Sequence, residues 1–167
     1  MKAERQEPTE HEAFMREALR EAEKAGALGE VPVGAVVVVG GEIVSRAHNL
    51  RETLKDATAH AEIVALREAA RRSGDWRLED AVVYTTVEPC PMCAGALVQF
   101  RVRKVVYGAA DPKAGAAGSI VNLLQEPRFN HQVEVVAGVL EAECREVIQR
   151  FFRDLRQNRY AERWPSG

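Results

Sequence analysis

Apolar positions along the chain fall into runs of two periodicities, one helical and one extended. Phe14, Met15, Ala18 and Ala22 recur at helical spacing, and Thr9 followed by Glu12 makes a capping box. Together they predict a first helix that ends near Gly26. Segments 33–39 and 42–47 read as strands flanking Gly40-Gly41, a two-residue hairpin turn that needs positive φ. Ile63, Leu66 and Ala70 share one side of a helix predicted over 60–72 and stopped by Ser73-Gly74. Strands follow at 81–86 and 103–107, separated by a helix over 91–100 with Pro91 in its first turn. A loop rich in glycine and alanine covers 108–118. A short helix is expected around 120–125 and an edge strand at 132–136. The last helix starts near Glu141 and places Leu140, Cys144, Val147, Ile148, Phe151 and Leu155 on one face, which makes Cys144 a core residue. Strands and helices alternating around a hairpin predict an α/β fold: a three-layer α/β/α domain with a mixed central sheet of about five strands.

Composition narrows the class. The chain has 167 residues, 46% hydrophobic and 29% charged, which suits a single domain over 1–167 with flexible ends expected at 1–8 and 158–167. The longest apolar run, 31–39, is broken by Pro32 and Gly34 and is too short to span a bilayer. Residues 1–8 lack the apolar core of a secretory signal. Three cysteines, two of them in one C-x-x-C, give no disulfide framework and suit a reducing, cytoplasmic setting. A net charge of −2 argues against a broadly basic nucleic-acid protein. Six arginines at 145, 150, 153, 156, 159 and 163 outnumber Glu146, Asp154 and Glu162, however. They form either a solvated helix face or one basic edge for RNA.

Two short segments carry the chemistry: His60-Ala61-Glu62 and Pro89-Cys90-Pro91-Met92-Cys93. His60, Cys90 and Cys93 make a three-donor set for a divalent metal, best matched to zinc. A structural site closes its fourth position with protein; a catalytic one leaves it open, and Glu62 then stands ready as a proton carrier. H-x-E followed by P-C-x-x-C is the pattern of zinc nucleobase deaminases. Both sulfurs fall in the first turn of a helix, where free N–H groups and the dipole favour thiolates. A redox C-x-x-C is the competing reading, and it leaves His60-Ala61-Glu62 unexplained. Residues two apart on a regular helix point nearly oppositely, so His60 and Glu62 converge only if His60 lies at a frayed first turn, with Thr58 a candidate cap.

At these residues the chain resembles the bacterial tRNA-specific adenosine deaminases, within the cytidine deaminase-like zinc fold. The resemblance runs from about Phe14 to Arg156. Its blocks are Glu30-Val31-Pro32-Val33-Gly34-Ala35, Ala47-His48-Asn49, Thr58 to Ile63, and Glu88-Pro89-Cys90 through Cys93-Ala94-Gly95-Ala96. Narrower blocks are Gly108 to Lys113, Gly115 to Ser119, and Asn130-His131 with Phe151-Phe152-Arg153. The resemblance implies hydrolytic deamination of adenosine to inosine at the wobble position of a tRNA anticodon, in a homodimer whose anticodon contacts draw on both subunits. His60, Cys90 and Cys93 match the zinc ligands, one Zn2+ per subunit, and Glu62 the proton shuttle. Backbone N–H groups of Ala61 and Cys90 face the reacting centre, Asn49 bonds the flipped purine, and Val31 is an apolar wall. For the anticodon stem-loop it points to Arg51, Lys113 and Arg156 at phosphates, Asp111 at a sugar or base, and Phe152 as a stacking surface.

Two departures from the family pattern stand out. Asp56-Ala57-Thr58 replaces Asp-Pro-Thr, which should loosen the loop into the helix. Asp154 and Leu155 also thin the cationic tail between Arg153 and Arg156. Two alternatives stay open: a deaminase of a free base or nucleoside such as guanine or cytosine/cytidine, and a zinc-stabilised RNA-binding module without catalysis.

Overall fold

A computed structural model describes residues 9–163. Helix α1 (Glu10–Ala27) begins where the Thr9 hydroxyl accepts the Glu12 N–H at 3.2 Å, and its Met15, Ala18, Ala22 and Ala25 are fully buried. Strands β1 (Gly34–Val39) and β2 (Glu42–His48) form the expected hairpin, with Gly40 and Gly41 at φ 60° and 79°. There follow α2 (Arg51–Leu54), α3 (Ala61–Ser73), β3 (Val82–Val87), α4 (Pro91–Gln99), β4 (Lys104–Ala109), β5 (Glu134–Val136) and α5 (Glu141–Arg163).

The five strands lie in the order β2-β1-β3-β4-β5, with β1 antiparallel to both neighbours and β3, β4 and β5 parallel. Alternate residues of each strand face opposite layers. Ala35, Val37, Val83 and Val105 pack with Ala65 and Leu66 of α3 and Leu97 of α4. Val36, Val38, Tyr84 and Val106 pack with Met15 and Ala18 of α1 and Cys144 of α5. This is the three-layer mixed fold read from the sequence. Covering both faces explains why β1 reads as an unbroken apolar run instead of an alternating one. Cys144 is 1% exposed, a core residue as expected.

Four stretches differ from the sequence reading. Residues 120–125 form turns, not a helix: the Ile120 N–H turns back to Gly115, Leu123 bonds Ala116, and Ala117 bridges Asn122. Those N–H groups are committed to the preceding loop and cannot build a helical ladder. Helix α2 was not anticipated; four residues are too few to show a period. Strand β5 begins only at Glu134, because the Val133 N–H goes to the Leu124 carbonyl. Helix α5 continues through 158–163, which the sequence reading left as a flexible end, while 1–8 and 164–167 lie outside the described residues. Among the described residues no helix is long and apolar enough to cross a membrane.

Helix α1 sits directly on the start of β1. A Cβ at Gly34 would overlap the Ala18 carbonyl oxygen and the Ala22 nitrogen, so the helix touches strand backbone. Because backbone cannot swing aside, Gly34→Ala should lower unfolding stability by about 1–3 kcal/mol. Urea denaturation reads this as a lower midpoint at unchanged slope, and an unshifted midpoint would contradict the contact.

Candidate active site

Helices α3 and α4 both begin at the same point, and each begins on a candidate metal donor. His60 is the N-cap of α3 and Cys90 the N-cap of α4, both with extended backbone (ψ 153° and 173°) and neither with a side-chain capping bond. This resolves the spacing problem in His60-Ala61-Glu62. His60 lies outside the helix, so its ring and the Glu62 carboxyl can turn to one side. Thr58 is not the cap; its hydroxyl and N–H instead donate to the Asp56 carboxylate at 2.7 and 2.8 Å. That clasp orders the loop where proline is missing.

His60 Nδ1 lies 3.5 Å from the sulfurs of both Cys90 and Cys93, and the three donor atoms fall within 4.8 Å of one another. Donors roughly 2.0–2.3 Å from one centre at tetrahedral angles stand about 3.5 Å apart, so the set fits a zinc-sized ion. Electrostatics agree with the fit. A hydrogen bond from Cys93, with His60 beside it, holds the Cys90 thiol down to about 4 against the effect of burial. The Cys93 thiol is pushed up by its bond to Cys90, its burial and the nearby Glu62. Two adjacent thiols cannot both ionise unaided; a divalent cation between them removes the conflict. Glu62 is 4% exposed, and burial raises its carboxyl above the ordinary range against the pull of its own backbone N–H and Cys93.

A cavity of about 250 Å³ opens over these groups. Of the sequence-predicted residues, Val31, Asn49, Arg51, His60, Ala61, Glu62, Cys90 and Asp111 line it, and Cys93 lies buried beneath. Val33, Val87, Glu88 and Ala114 also line it and were missed as site residues, although all four fall inside or beside the quoted sequence blocks. Asn49 is held at both ends: its amide N–H donates to the Val31 carbonyl (3.3 Å) and its oxygen accepts from the Arg51 N–H (3.1 Å). A larger groove of about 660 Å³ shares Val31, Val33, Val87 and Asp111 with the cavity and carries Lys113, Arg145, Ile148, Gln149 and Phe152. Arg145 belonged to the arginine series, but its helical position alone gave no sign that it faces this groove. Phe152, off the apolar stripe of α5 that Phe151 joins, is 38% exposed, and it meets Phe151 edge-on. Arg156, farther along α5, is exposed and lines neither cavity nor groove.

Residues 8–109 match the family model for the cytidine and deoxycytidylate deaminase zinc-binding region. The chain is 58% identical to a tRNA-specific adenosine deaminase of Bacillus subtilis, over 93% of this chain and 96% of that one. A second, from Aquifex aeolicus, is 50% identical over 88% of this chain and 97% of the relative. A solved structure from a study of A-to-I editing by tRNA:A34 deaminases at the wobble position superposes with a TM-score of 0.78 at 44% identity, covering 81% of this chain and 98% of the other.

The wall of the cavity also depends on Glu30, 1% exposed, whose carboxylate accepts the N–H groups of Glu52 (2.9 Å) and Thr53 (2.8 Å) and so carries α2. Burial pushes its pKa up, but those N–H groups and Arg51 more than offset this and leave it below 4.5. A depressed folded-state pKa stabilises above the unfolded value and loses that stabilisation as pH falls through the folded value. Glu30→Gln should therefore cost about 1–3 kcal/mol near neutral pH and flatten the acid limb of stability below pH 4.5. Urea midpoints measured between pH 7 and 3 check both, and parallel curves for the two proteins would refute the assignment.

Proposed function

Because the chain belongs to the zinc-binding cytidine and deoxycytidylate deaminases, and within them to the tRNA-specific adenosine deaminases, we propose that it converts adenosine to inosine at the wobble position of a tRNA anticodon. The observation that carries this reading is one cavity joining the His60, Cys90 and Cys93 donors, buried Glu62 and fixed Asn49, and opening into a groove with Lys113, Arg145 and Phe152. A free base would need the cavity alone. The groove suits a polymer, with cations for phosphates and an exposed aromatic for stacking.

His60, Cys90 and Cys93 would hold one Zn2+ per subunit. Bound there, the ion supplies Lewis acidity that lowers the pKa of a water from about 16 towards 7. Glu62 moves the protons: it takes one from the attacking water, gives it to the purine ring nitrogen, and later delivers one to the departing ammonia. Water adds and ammonia leaves, so adenosine becomes inosine with no redox change. The Ala61 N–H opens α3 and, as a first-turn group, has no partner within its own helix. It donates towards the reacting centre. Asn49 bonds the flipped purine with the amide hydrogen and lone pair left over from its two internal bonds, and Val31 bounds the base. Arg51, Lys113 and Arg156 take phosphates, Asp111 a sugar or base, and Phe152 a stacked base. Assembly as a homodimer is part of the same proposal and rests on the family resemblance alone. Acting on tRNA, the protein would work in the cytoplasm.

Purified protein incubated with total tRNA should yield inosine at a wobble position, mapped by sequencing. Glu62→Ala should keep its zinc, measured by atomic absorption, and lose about 10²–10⁴-fold in turnover. Cys93→Ala should lose the metal itself. Inosine absent from every anticodon, or near-normal turnover in Glu62→Ala, would sink the reading.

A further inference from the structure

Glu88 has no part in the chemistry above, yet it is buried to 3% exposure in the cavity wall. It stands where β3 runs out towards Pro89 and Cys90, opposite the loop that follows β4. Its carboxylate accepts the N–H groups of Asp111 (3.1 Å), Ala117 (3.0 Å) and Ser119 (3.1 Å), and the Ser119 hydroxyl as well. Two backbone bonds lace the same segments together: Glu88 N–H to Ala109 and Ala116 N–H to Pro89, each 2.8 Å. The loop closes tightly around the side chain, since a Cβ at Gly115 would overlap the Glu88 carboxyl.

The Asp111 carboxylate is partly engaged in its own turn, where Oδ1 accepts from Lys113 (3.0 Å) and Ala114 (3.2 Å). That turn is hydrogen-bonded within itself, and the Glu88 carboxylate holds its Asp111 N–H. The geometry points to Glu88 as a positioning residue that ties the substrate loop 111–119 to the turn bearing Cys90, and so sets the height of Asp111 and Lys113 above the reacting centre. This rests on reading the site as a tRNA deaminase centre. A carboxylate suits the task because it is acceptor-only and can receive several N–H groups at once. Glutamine would turn an NH2 towards one or more of those donors and strand them. The loop would then lose its fixed height while Glu62 and the metal donors stayed in place. Binding should suffer and chemistry should not.

The test uses the full, zinc-loaded chain with an anticodon stem-loop as substrate. In Glu88→Gln, KM should rise about tenfold with kcat within about threefold of wild type, and zinc content should stay unchanged. Gly115→Ala, whose Cβ would overlap both the Glu88 carboxyl and the Asp111 carbonyl oxygen, displaces the same loop and should show the same split. Backbone amide exchange at Asp111, Ala117 and Ser119 should accelerate in Glu88→Gln, a readout that needs no substrate. A fall in kcat at constant KM, loss of zinc, wild-type kinetics in both variants, or unchanged amide protection overturns the inference. Should Glu88→Gln fail to fold, Ser119→Ala, which removes only the hydroxyl bond, is read by the same split at about threefold in KM. Wild-type protein inactive on every tRNA would instead overturn the functional reading beneath it.

Discussion

Two helix N-termini that meet at one point are the constraint on which the site depends. Helix α4 is the crossover between parallel strands β3 and β4, so its start lies at their C-terminal ends, where open α/β sheets place their ligands. Helix α3, packed over β1 and β2 on the same face of the sheet as α4, begins at the same point. Each helix begins on a residue with extended backbone, His60 or Cys90, and that half-in position frees the side chain to point across the gap. The aligned dipoles add positive potential where thiolates gather.

Three buried glutamates surround the cavity, and their surroundings separate their roles. Glu30 is matched by the N–H groups of Glu52 and Thr53, and Glu88 by three N–H groups and a hydroxyl. Both carboxyls are held below the ordinary range, as groups saturated with donors should be. Glu62 goes the other way, because burial outweighs its few donors. A saturated carboxylate is scaffolding; an under-satisfied one keeps capacity for reactants. Residue type alone does not distinguish them, and hydrogen-bond supply does.

Much of this was legible in the sequence. Long periodic elements such as α1, α3 and α5, and the Gly40-Gly41 hairpin, declare themselves through spacing and turn chemistry. The candidate metal donors were legible because their residue types are rare in that combination. What stayed hidden has a common cause: it consists of backbone groups finding partners far away in sequence. Helix α2 exists because Glu30, twenty-two residues before Glu52, receives its N–H groups. The 120–125 stretch fails as a helix because its N–H groups bond the loop before it. Arg145 faces the groove only because α5 lies against β4, an arrangement no local period encodes.

The Asp56–Thr58 clasp has a consequence for how this region comes to be ordered. Proline restricts the chain before it folds, lowering the entropy of the unfolded ensemble. Two hydrogen bonds to Asp56 restrict it only afterwards, and they weaken when that carboxylate is protonated. The approach to His60 is therefore held by a reversible latch in place of a permanent hinge pin. Acid that protonates Asp56 weakens the latch, whereas a proline would not respond to pH.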